Sequence, residues 1–131
     1  MEATGVIIHK SPYSVKRSVD LLQKFILQHG GTIYNRIDQQ LEVYNAGQVL
    51  FPLEFLLFGN PKQGGILMKN NPLLALDLPL KIIVWEDNDH NVWIAYNAAS
   101  YLENRYSITH RPDSALNLDK MIENVFGTCD C

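Results

Sequence analysis

Residues 81–97, KIIVWEDNDHNVWIAYN, carry the stretch that decides the fold. Two β-branched and aromatic runs, Lys81 to Glu86 and Val92 to Asn97, flank the polar stretch Asp87 to Asn91. That is the pattern of two antiparallel strands joined by a solvated turn. Alternation sends Val92, Ile94 and Tyr96 to one side of the sheet and Trp93, Ala95 and Asn97 to the other. Both faces of the hairpin are therefore apolar, and each calls for cover. Helices can supply one cover; the second is open to a helix, a ligand or a partner subunit.

Working outward from the hairpin, Leu53 to Phe58 is an apolar strand that runs into the turn Gly59, Asn60, Pro61, and a helix ending near Met68 follows it. Thr32 to Asp38 alternates as a half-buried strand, with Ile33 and Ile37 on one face and Tyr34, Arg36 and Asp38 on the other. Gly5 to Lys10 is the first strand. Ser14 is placed to cap a helix whose apolar residues Val15, Val19, Leu22 and Ile26 recur at helical spacing, with Gly30 and Gly31 at its end. A short helix spans about Gln39 to Ala46, closed by Gly47. Ala98 to Arg105 is helical. A last amphipathic helix over about residues 114–126 carries Leu118, Met121, Ile122 and Val125, with Asp113 or Ser114 as its cap and Gly127 as its stop. The order β-α-β-(α)-β-(α)-β-β-α-α gives an α+β fold, a mainly antiparallel sheet with packed helices.

Length and composition agree with one such domain over residues 1–131, since 131 residues suffice for one core and are too few for two ordinary ones. A net charge of −3, from 11 basic and 14 acidic residues, supplies no basic footprint for nucleic acid. The most apolar stretches are interrupted by Pro52, Glu54, Asp77, Pro79 and Lys81, short of the ~20 apolar residues of a spanning helix. No membrane association is expected. Residues 1–10 lack a signal-peptide core. The only cysteines, Cys129 and Cys131, sit too close together to staple anything. A cytoplasmic protein with reduced thiols is the reading.

FGNPKQGGILM from Phe58 to Met68, LALDLPLKIIVWED from Leu74 to Asp87, VWIAYN from Val92 to Asn97, and Arg36-Ile37-Asp38 together resemble the family known as domain of unknown function 302. The matching stretches lie between about Arg36 and Arg105, with a family-like core over about residues 5–108. The resemblance implies a compact fold similar to the TATA-binding-protein-like group and implies homodimers; it implies no particular activity. Three positions depart from the usual family pattern. Gln39 and Tyr106 stand where histidines are common, and Gly65 replaces a threonine, which puts any chemistry needing those histidines in doubt for this member.

The candidate site residues each have two readings. Asn60, Pro61, Gly64 and Gly65 either present free backbone amides to an anion at a helix entrance or form a tight strand-to-helix turn with unusual glycine dihedrals. Arg36 and Asp38 either orient a polar ligand or pair with each other, and Arg105 has the same standing. Trp85, Trp93, Tyr96 and Phe58 either wall an apolar pocket, with Met68 contributing, or fill a core. Asp87, Asn88, Asp89 and Asn91 carry the oxygens of a calcium loop without its turn glycine or distal glutamate, which favours a solvated hairpin tip. His9, His29 and His110 lie on separate elements, and no metal or cofactor is expected.

Three functions compete. The first is a non-enzymatic, dimeric module binding a small anionic or amphipathic molecule through Arg36, Asp38, Asn60, Gly64, Gly65, Trp85, Tyr96 and Arg105. The second is an enzyme with Asp38 as general base and Arg36 or Arg105 holding charge. The third is a purely structural or protein-interaction domain.

Overall fold

The computed structural model describes residues 2–127, so Cys129 and Cys131 lie outside the described residues. Five antiparallel strands, β1 (Val6–Ser11), β2 (Thr32–Asp38), β3 (Leu53–Gly59), β4 (Leu80–Glu86) and β5 (Val92–Asn97), form one sheet in the order β1-β5-β4-β3-β2. The expected hairpin is β4-β5, in which Trp85 pairs with Trp93 and Ile83 with Ala95. The first two strands are the two sheet edges, and helix α1 (Val15–Gln28) must cross the whole sheet to join them. Its 14 residues, about 21 Å long, match the width of about 19 Å that separates edge strands in a five-stranded sheet.

Ser14 caps α1 as expected, its Oγ accepting from the Arg17 amide at 3.1 Å. The inner stripe Val15, Val19, Leu22 and Ile26 is buried against Leu56, Phe58, Leu80, Ile82, Val84, Val92, Ile94 and Tyr96. Helices α4 (Ala99–Tyr106) and α5 (Asp119–Phe126) add Leu102 and Ile122 to the same cluster. All these strand residues point to one face, so the helices bury one side of the sheet. Gly5, at φ +75°, lets Tyr101 of α4 pack where any Cβ would stand only 2.3 Å from its ring.

The other face carries a continuous apolar row across all five strands: Ile8, Ala95, Ile83, Phe55 and Ile37 are successive register partners. Trp93, Trp85 and Leu53 form the next row. None of these belongs to the buried cluster, and apart from Ala95 all are half-buried. Lys81 lays its ammonium over the Phe55 ring at 4.1 Å and Lys10 over Trp93 at 5.9 Å, flanking the apolar rows with basic side chains.

Three local expectations are corrected. Strict alternation in β2 fails because a bulge shifts the register between Ile33 and Asn35. Ile33, opposite Phe58, therefore shares the helix-covered face with Arg36, opposite Leu56, while Ile37 turns to the other face. Gly64 and Gly65 lie inside helix α3 (Pro61–Asn70), not in the turn before it, and neither has a positive φ. The last helix begins at Asp119, not near residue 114, and neither Asp113 nor Ser114 caps it. Residues 107–118 form an irregular strap instead, because Leu116 and Leu118 both reach the core and one helix register would not take them there. The short helix α2 (Gln39–Asn45) follows β2, and a 3-10 helix spans Pro72–Leu76.

His9 is buried on the helix-covered face of β1. Its Nδ1 lies 3.0 Å from the Lys10 carbonyl, which can only accept, so that nitrogen carries the hydrogen. Its Nε2 is buried and has no hydrogen-bond partner among the described residues. Next to it, Ser11 donates to Ser18 at 2.6 Å and Ser18 to the Ser14 carbonyl at 2.8 Å, a buried polar tie between β1 and α1.

Candidate functional site

A cavity of about 490 Å³ opens where β3 hands over to α3, between the carboxyl end of α1, helix α3 and the strap with the start of α5. Helix α3 has no fully buried residue, and Gly64 offers only hydrogen where Met68 and Leu78 stand about 4 Å away. Its side toward the sheet is therefore left unfilled. Ile26, Phe58, Leu80, Leu116 and Leu118 form a buried apolar floor, with Leu67, Met68 and Met121 as half-buried walls. His29, Tyr34, Asn60 and Gln63 supply polar atoms, and of these all but Asn60 are solvent-exposed. Among the described residues, no Lys, Arg, Asp or Glu lines the cavity.

The polar lining is preorganised. The His29 ring stacks on Phe25 at 3.9 Å, and its Nδ1 stands 2.9 Å from the Phe25 carbonyl. A carbonyl accepts only, so Nδ1 carries the hydrogen, and in the uncharged form of the ring that leaves the lone pair at Nε2. Asn60 caps α3: its Oδ1 accepts from the Lys62 and Gln63 amides at 3.1 and 3.3 Å. Gly64 donates to the Asn60 carbonyl at 2.8 Å, and Pro61 has no N–H to give. The helix entrance thus has its first amides already satisfied, and Asn60 Nδ2 makes no hydrogen bond among the described residues.

Of the residues singled out in the sequence as site candidates, Asn60, Pro61 and Gly64 line the cavity, as do Phe58 and Met68 among the wall candidates. The others are brought together with different partners. Arg36 donates to Asp20 of α1 at 2.6 Å and to Glu54 of β3 at 3.1 Å, and does not pair with Asp38. Partial burial alone would lower its pKa, yet the hydrogen bonds and charges of the two carboxylates outweigh that and raise it. Asp38 is the cap of α2, accepting from the Leu41 amide at 3.0 Å. Arg105 donates to Asp77 at 3.2 Å, and Tyr106, at the position of a common family histidine, donates to the same carboxylate. Gly65 faces open space.

The aromatic wall is split between sheet faces. Tyr96 is buried under the helices, where its hydroxyl donates to Asp119 at 2.7 Å. Desolvation first, then the Asp119 carboxylate, push its pKa up. Trp85 and Trp93 stand on the opposite face. Asp87 organises the hairpin turn: it accepts from the Trp93 indole at 2.8 Å and from the Asp89 and Asn91 amides, each at 2.9 Å. The indole hydrogen bond is the largest cause of its lowered pKa. Among the described residues no group of three or more His, Cys, Asp or Glu side chains is placed to hold a metal ion. The residues missed in sequence, His29, Tyr34, Gln63, Leu67 and Met121, come from separated segments. The one local signal was a helix with two adjacent glycines and a weak apolar face.

A first consequence concerns Arg36. Replacing it with methionine strips Glu54, only 13% exposed, of its guanidinium, and should cost about 2 kcal/mol, between an exposed and a buried ion pair. Urea unfolding measures that loss.

FluC 1, a fluoride-specific ion channel of Brucella suis biovar 1 (strain 1330), is 30% identical over 113 residues, covering 86% of this chain and 44% of that protein. FluC 1 of Brucella abortus biovar 1 is equally similar, with 42% of its length covered. The chain thus spans less than half the length of these relatives. Among solved structures, an uncharacterized conserved protein DUF302 from Bacillus stearothermophilus superposes with a TM-score of 0.71 at 17% identity, over 80% of this chain and 82% of that one. This likeness matches the antiparallel sheet with packed helices. A family model, Domain of unknown function DUF302, matches residues 7–127, well beyond the motifs between Arg36 and Arg105, and the chain belongs to that family.

Proposed function

We propose that the chain is a non-enzymatic, dimeric module that binds a small amphipathic molecule in the cavity between α1, α3 and the strap. The observation that carries this reading is the cavity itself. Its volume of about 490 Å³ falls in the range of small-ligand sites, roughly 300–1,000 Å³, and an apolar floor under a few polar groups is their usual construction. An anionic ligand has less support, because the α3 amides are capped and no cation lines the walls. The enzyme reading has less still, since Asp38, Arg36 and Arg105 stand outside the cavity and are engaged in capping or ion pairing. Dimerisation is supported by the apolar row Ile8, Ala95, Ile83, Phe55 and Ile37, a surface of the kind that monomers rarely leave open.

Native mass spectrometry of gently purified protein tests both parts. The expected species is a dimer carrying a discrete extra mass. Leu67→Trp, which fills the cavity from α3, should remain a dimer and lose that mass. A native chain that carries nothing, and takes up an apolar fluorescent probe no better than Leu67→Trp, would sink the binding reading.

The similarity to fluoride-specific channels favours a second reading, in which a domain of this kind serves as an attachment to a channel. Among the described residues no helix is long and apolar enough to cross a membrane. Fluoride itself suits the cavity poorly, because a small anion is costly to take out of water and no Lys or Arg stands among the described lining residues to offset that. A fluoride titration followed by ¹⁹F NMR should show no saturable binding to this chain; a saturable response abolished by Leu67→Trp would reverse that view.

A further inference from the structure

The polar atoms of the cavity differ in what they can exchange. His29 Nδ1 is committed to the Phe25 carbonyl, so in its uncharged form the ring offers only an acceptor, at Nε2. Asn60 Oδ1 is committed to the Lys62 and Gln63 amides, so this side chain offers only donors, at Nδ2. One lining residue thus asks for a hydrogen and the other gives one, and no charged side chain stands beside them to favour an ion. Behind them lie Ile26, Phe58, Leu80, Leu116 and Leu118, all buried and all apolar.

Resting on the binding reading above, we infer that the cavity is matched to an uncharged molecule with an apolar body and a hydroxyl head. The hydroxyl donates to His29 Nε2 and accepts from Asn60 Nδ2, while the body lies on the apolar floor. A hydroxyl is the simplest group that both donates and accepts at one atom. A carboxylate meets a lone pair at His29 and has no cation to offset its desolvation, and an ether leaves His29 without a donor. Tyr34 and Gln63, exposed at the same cavity, can each donate or accept and therefore do not set the preference.

The test uses the full chain stripped of any passenger and three probes with the same apolar tail: 1-octanol, octyl methyl ether and octanoate. Calorimetric titration at fixed neutral pH should give 1-octanol an affinity about tenfold above each of the others, the size of one well-formed hydrogen bond. His29→Phe keeps the stack on Phe25 and removes the acceptor, and should bring 1-octanol down to the level of the ether. Leu67→Trp should weaken all three together. Equal binding of the three probes, all weakened by Leu67→Trp, overturns the head-group inference and leaves the cavity as a binding site. Octanoate binding tightest does the same. No saturable binding of any probe, with Leu67→Trp indistinguishable from the native chain, overturns the inference and removes the reading beneath it.

Discussion

Replacing Ile83 with glutamate should turn a dimer into a folded monomer. Ile83 is the middle member of the row Ile8, Ala95, Ile83, Phe55 and Ile37, with Trp85 and Trp93 in the next row. Its side chain is half-buried within one chain, so in a monomer a glutamate there reaches water and should cost the fold no more than about 1 kcal/mol. In a symmetric face-to-face dimer the same position is dry and occurs twice, once from each subunit. An unpaired carboxylate pressed into such an interface costs at least about 3 kcal/mol, which weakens association by more than about a hundredfold. Sedimentation velocity should find the native chain as a dimer and the variant as a monomer at micromolar concentration, with unchanged far-ultraviolet circular dichroism. A variant that still sediments as a dimer moves the interface away from this face. The next candidate is then the patch of Leu41, Tyr44, Val49, Leu50 and Phe51 around α2, where Val49 is 89% exposed.

The second large effect is expected at Leu22. It is fully buried at the centre of the inner stripe of α1, one turn from Val19 and one from Ile26. Truncation to alanine removes three buried carbons and leaves a void between α1 and the sheet that the rigid strands cannot close, a loss of about 3–5 kcal/mol. Domains of this size hold only about 5–15 kcal/mol in total, so the variant should unfold at much lower urea with an unchanged denaturant slope. A loss under about 1 kcal/mol would mean that α1 can settle onto the sheet, and that the floor of the neighbouring cavity, which includes Ile26, is softer than its packing indicates.

Much of this architecture was legible in the sequence because it rests on local periodicity. The α1 stripe, the Ser14 cap and the β4-β5 hairpin follow from spacing within one element, and β2 occupies the expected span from Thr32 to Asp38. What escaped depends on contacts between elements. The β2 bulge reverses the face of Ile33 relative to Arg36, and nothing in the alternation of side chains announces one unpaired residue. The strap over residues 107–118 carries leucines that suggest a helix, but tertiary packing takes Leu116 and Leu118 into the core by an irregular path.

The candidate site was legible only at Phe58, Asn60, Pro61, Gly64 and Met68, which belong to one continuous segment. His29, Tyr34 and Met121 reach the same cavity from other parts of the chain, and their spacing encodes no proximity. Arg36 and Asp38 stood out as charged residues two apart on a strand. Charge drew attention to them, yet their partners are Asp20, Glu54 and a helix end, which only the folded chain supplies.

The placement of β1 at the far edge also sets an order of events during synthesis. Val6 pairs with Asn97 and Ser11 with Val92, so β1 finds its neighbour only after β5 has emerged from the ribosome. Strands β2 to β5 follow one another as sequential neighbours and can zip as a meander in the meantime. Pairings this distant in sequence slow folding, because the loop must close before any contact rewards it. Until then β1 is an unpaired edge and α1 lacks its anchor on that side, so the nascent chain passes through a stage in which its first strand is open to capture by another chain.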